Sequence, residues 1–85
     1  MSDANLKEAI DLLIAGDLKL GQQWEEAHEI CQAHEGTAAF DWLHAIIHRI
    51  EGDDRNAGYW YNRAGKERRE GTVAEELQAL QADVG

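Results

Sequence analysis

Proline is absent from these 85 residues, cysteine occurs once, at Cys31, and eight lysines and arginines face seventeen aspartates and glutamates. Each shortage removes a class of protein. Without proline, nothing in the chain forces a break in a helix. One thiol cannot close an internal disulfide or build a cysteine-based zinc cluster, which points to a reducing compartment. No run of about 18 apolar residues is present to cross a bilayer. Asp3, Lys7, Glu8 and Asp11 fill the stretch where a signal peptide needs an apolar core. The expectation is a soluble, unprocessed, cytoplasmic protein with no membrane partner.

The charge is unevenly placed. Residues 1 to 54 carry twelve acidic and three basic side chains, and residues 55 to 85 carry five of each. Duplex binding draws on a basic footprint that releases counterions. Only Arg63, Lys66, Arg68 and Arg69 cluster in that way, and at the end of a helix such cations oppose the negative pole of its dipole. Nucleic acid is therefore not the expected partner.

What is present in quantity is apolar residues at three- and four-residue spacing, the signature of helices. The spacing predicts an all-α fold of five helices forming a single domain over residues 1–85. The first runs over about residues 5 to 15, opened by the capping-box-like Asn5-Leu6-Lys7-Glu8, with Leu6, Ala9, Ile10, Leu13 and Ile14 inward. Leu18 and Leu20 are expected to fold back from the following loop. A second helix, residues 22 to 34, carries Trp24, Ala27 and Cys31 on one face. The third, 37 to 51, turns Phe40, Leu43, Ile47 and Ile50 inward, with Ala39 and Ile46 beside them. The fourth is expected over 54 to 69 with Gly71 as its cap. Thr72-Val73-Ala74-Glu75 is a capping box for the fifth, whose stripe is Val73, Leu77 and Leu80.

Gly52-Asp53 reads as a turn that ends one helix and caps the next, after which Ala57, Tyr61 and Ala64 recur at i, i+4 and i+7. This pattern resembles the second helix of a tetratricopeptide repeat. Trp24-Glu25-Glu26-Ala27 is a looser copy thirty residues earlier, with Cys31 and His34 where that family places an aromatic and an alanine. The resemblance implies antiparallel helical hairpins with a C-terminal capping helix and a non-enzymatic interaction module whose partner is another protein, a peptide or a second copy of the chain. The segment 24 to 64 also resembles small bacterial and fungal proteins without an assigned function, a kinship that implies no activity.

Two sets of residues stand out as candidate sites. Asp41, His44, His48 and Glu51 fall at i, i+3, i+7 and i+10 of the third helix, within an arc of roughly 80°. Two histidines at i and i+4 chelate a divalent ion such as zinc from successive turns, and His28 on the neighbouring helix or a carboxylate completes the shell. The order His-Glu-x-x-His of zinc proteases is missing, since Ala45, Ile46 and Ile47 stand between the histidines. The alternative for this stripe is a solvated polar face.

Tyr59, Trp60 and Tyr61 form the second set, because three successive aromatics on a helix cannot all point inward. Trp60 and Tyr61 are assigned to the core. Tyr59 with Trp42 makes an expected exposed aromatic patch rimmed by Arg49, Arg55 and Arg63, residue types that serve interfaces well. Packing of these rings inside the fold is the alternative. Cys31 lies one turn from His28 and from His34, but such neighbours seldom attain attack geometry and no oxyanion-binding glycine turn precedes the thiol. The glycines form no phosphate loop. No enzyme is expected. The leading expectation is an interaction module, the second a divalent-metal-binding protein built on His28, His44 and His48, and the third a structural subunit of a larger complex.

Overall fold

A computed structural model describes residues 2–67 and 71–84, with the side chains of Ser2 and Asp3 left aside. Five helices follow one another, α1 (Ser2–Ala15), α2 (Gln22–Ala33), α3 (Ala38–Glu51), α4 (Asp54–Ala64) and α5 (Val73–Val84), and no strand occurs among the described residues. The all-α expectation holds.

The helices pair as α1 with α2 and α3 with α4, while α5 lies on α3, and α2 packs on α3 to join the two pairs. Helix α3 is thus the centre of the molecule. Phe40 through Ile47 are buried without exception, and so is His48. The sequence explains this position: between Ala38 and Ile50 only Asp41 and Arg49 carry a full charge, and a helix without a polar side belongs inside.

The joints are local chemistry. Gly52 adopts the left-handed conformation (φ 83°), and the N–H groups of Gly52 and Asp53 donate to the carbonyls of Arg49 and His48. Asp53 then accepts from Asn56 N at 3.1 Å and opens α4. The same motif closes α4 at Gly65 (φ 71°), earlier than the spacing suggests, because Gly65 and Lys66 donate back to Asn62 and Tyr61. The expected fourth helix to residue 69 is therefore too long, and Arg68 and Arg69 lie outside the described residues. Thr72 and Glu75 form the reciprocal capping box, with Glu75 N donating to Thr72 Oγ1 at 3.1 Å and Thr72 N to Glu75 Oε1 at 2.8 Å. At the N-terminus the structure differs again. Helix α1 begins before Asn5, whose side chain reaches the His34 ring of α2 instead of capping.

The core joins Leu6, Ala9, Ile10 and Leu13 of α1 to Ala27 and Cys31 of α2, the apolar residues of α3, Ala57, Trp60, Tyr61 and Ala64 of α4, and Leu77 and Leu80 of α5. Ile14 and Leu20 are exposed, contrary to expectation, since α1 presents only one narrow stripe to its neighbours. Leu18 folds back as expected and is partly buried.

Candidate metal centre

His44 and His48 are one turn apart on the central helix and are 2% and 5% exposed, so the stripe is not a solvated face. Helix α2 crosses above them, tied to α3 by the Trp24 indole N–H, which donates to the Ile47 carbonyl at 2.9 Å. That crossing brings in the half-buried His28 one turn further along α2. Its Nε2 stands 3.0 Å from His44 Nε2, and its ring lies edge-on to both His44 and His48, with centroids 4.8 and 5.1 Å away. His44 and His48 stack on each other at 5.0 Å.

The three imidazoles each offer a nitrogen, and these atoms lie within 4.8 Å of one another. Two nitrogens on one tetrahedral zinc are about 3.3 Å apart, given Zn–N bonds of about 2.0–2.1 Å. The His28 to His44 spacing needs to open by only a few tenths of an ångström to admit an ion. The set fits a borderline cation that favours imidazole nitrogen.

Around the rings the environment is unequal. His48 Nδ1 is hydrogen-bonded to Glu51 Oε1 at 2.6 Å, which leaves Nε2 as the nitrogen free for a further partner. A carboxylate on the far nitrogen is the usual support of a metal-binding histidine. His44 lacks such support: its Nδ1 is buried without a hydrogen-bond partner. A bare N–H there costs more than a bare lone pair, so the network places the His44 proton on Nε2, donating to His28. An ion on Nε2 would move that proton to Nδ1, which would make His44 the least supported of the three candidate ligands.

Neutral rings are what metal binding needs. Burial, followed by the neighbouring His28 and His48 and the Arg63 guanidinium, pushes His44 down to about 3. His28 is also lowered, chiefly by burial and by His48, against the opposing pull of Glu51, Glu29 and Glu35. Aromatic walls enclose the group. Trp60 stacks on His44 with centroids 3.8 Å apart, and Trp24 lies 5.1 Å from His28.

Two residues of the expected metal set fall elsewhere. Asp41 is buried at the start of α3, where both carboxylate oxygens accept from Gly36 N at 3.2 Å; it closes the α2–α3 turn. Glu51 reaches the cluster only through His48, with 34% of its side chain exposed. Cys31 is fully buried, and burial, together with the Asp41 charge, pushes its thiol far up.

The expected aromatic patch divides. Trp42 is 1% exposed: its indole N–H donates to Glu76 Oε2 at 2.9 Å and Lys66 sits over its ring. The place of Trp42 off the Leu43 and Ile47 arc points to the surface, but α5 covers that side of α3. Arg49 is likewise drawn to Glu76 and to the Gly71 carbonyl. Tyr59 remains outside, 53% exposed, with Arg63 donating to its hydroxyl at 3.0 Å, and Arg55 is exposed one turn earlier. Glu76 itself, buried with Tyr61 O–H 2.6 Å from its carboxylate, has no distinguishing sign in the sequence beyond following the Thr72 to Glu75 cap.

Compared with protein-family models, curated proteins and solved structures, the chain finds no match in any of the three.

Proposed function

We propose that this protein binds a divalent metal ion of zinc type through His28, His44 and His48, with Glu51 orienting His48. The observation that carries the reading is the convergence of three imidazole nitrogens, from two helices, within 4.8 Å. The lowered basicity of His28 and His44, the apolar enclosure by Trp24 and Trp60 and the carboxylate behind His48 all favour an ion at this cluster. Zinc titration of isotope-labelled, tag-free protein, followed through the imidazole NMR signals, tests it. Coupled shifts of all three rings that saturate at one equivalent support the reading. Rings that titrate without response to zinc sink it.

A second reading keeps the interaction module and narrows its surface. Arg55, Tyr59 and Arg63 recur every four residues on the open side of α4 and are all exposed. Two guanidiniums flanking a tyrosine suit an acidic peptide. Substituting Tyr59 by Ala then abolishes capture of a Glu-rich peptide while helicity is unchanged; retained capture refutes this surface.

A further inference from the structure

Resting on the metal reading above, we infer that the ion keeps one exchangeable coordination position beside His28, open to water and to a small monodentate anion such as azide. The donor count carries the first step. Among the described residues no fourth His, Cys, Asp or Glu joins the three imidazoles within 4.8 Å; the other grouping around His48 takes in Glu51 and Asp53 and leaves out His28 and His44. Cys31, one turn along α2 from His28, is not in reach either. Zinc held for structure alone fills four positions from protein, whereas three protein ligands leave the fourth to water or substrate.

Access carries the second step. His44 and His48 are buried, while His28 is only half-buried, so the side of the cluster that meets solvent is the His28 side. Trp24 borders His28 there, with ring centroids 5.1 Å apart.

Charge carries the third. Three neutral imidazoles leave the full double charge on the ion, and Arg63, set over the Trp60 ring that stacks on His44, adds to the positive potential. Glu51, hydrogen-bonded to the far nitrogen of His48, opposes it most, followed by Glu29 and Glu35 on α2 and the following turn. A bound water is acidified under these conditions, as it is on other ions with an incomplete protein shell.

The test uses the full chain loaded with one equivalent of cobalt(II), whose visible bands report coordination number, and azide as the probe. Expected are intense four- or five-coordinate bands that shift with azide to a one-to-one end point. Bands that form but ignore azide overturn the exchangeable position and leave the metal site standing. Absence of cobalt binding before azide is added overturns the metal site and this inference with it. X-ray absorption of the zinc form supplies an independent count: three imidazoles plus one light atom that azide replaces supports the inference, and four imidazoles, or a fourth atom that azide leaves in place, overturns it.

Discussion

His28 and His44 meet nitrogen to nitrogen at 3.0 Å across the α2–α3 interface, where the Trp24 indole also donates to the Ile47 carbonyl. Neither ring is stable there as a cation, because each faces the other and His48. The metal-free protein should therefore lose stability in acid. His44 has a folded pKa of about 3 against an ordinary 6.5, so the unfolded chain binds the extra proton first. Stability from this group is complete above pH 6.5 and is lost as the pH falls from 6.5 toward 3, by a few kcal/mol at about 1.4 kcal/mol per pH unit. Urea unfolding in the presence of EDTA between pH 7.5 and 5 measures it. His44→Phe should flatten the slope, and an unchanged slope would show that His44 is not the group responsible.

Glu51→Gln keeps the size and a hydrogen-bonding oxygen on His48 but removes the charge. Zinc affinity should fall roughly 10- to 100-fold while the apo protein keeps its melting temperature, since Glu51 lies at the rim. Competition with a zinc-binding dye reads the affinity. Equal affinity in both proteins would mean that the His48 to Glu51 bond orients nothing of consequence.

Glu76 is the opposite case, a carboxylate whose importance is to the fold. It accepts from Trp42 and Tyr61 and pairs with Arg49, joining α5 to α3 and α4. Burial and this carboxylate together push the Tyr61 phenol well above its usual range. Glu76→Ala strands two buried donors and a guanidinium, and should cost about 3–5 kcal/mol. Urea unfolding checks the magnitude, and hydrogen exchange should show α5 released first. A loss below 1 kcal/mol would mean that water replaces the carboxylate without penalty.

These sites differ in how far the sequence announces them. His44 and His48 are visible as an i, i+4 pair, and His28 is visible as an imidazole beside a buried face. Their convergence depends on the α2–α3 crossing, which no single-helix pattern contains. The burial of Trp42 and Asp41 is hidden for a related reason: periodicity assumes that a helix has one wet side, and α3 has almost none before its last turn. The scarcity of charge between Ala38 and Ile50 carries that information. Gly52-Asp53 and Thr72 to Glu75 were legible in full because caps are chemistry of adjacent residues. The stop at Gly65 is hidden in the sequence because Lys66, Glu67 and the arginines beyond it continue a helix-favouring composition.

An ion shared by His28, His44 and His48 ties the α1–α2 pair to the body formed by α3, α4 and α5, so its effect on stability should be large and specific. Zinc at 100 times its dissociation constant adds about 2.7 kcal/mol, and for a domain of this size each kcal/mol moves the melting temperature by about 4–8 °C. The expected rise is thus roughly 10–20 °C. Trp60 on His44 and Trp24 beside His28 make intrinsic fluorescence a second reporter, expected to change over the same titration. His28→Ala removes the only proposed ligand on α2 and should abolish both responses, while the apo protein, with the buried His44 N–H left without its acceptor, should lose about 1–3 kcal/mol. Calorimetry of both proteins with and without zinc decides it. If the His28→Ala protein still gains several degrees, the ion is held on α3 alone and does not clamp the two halves.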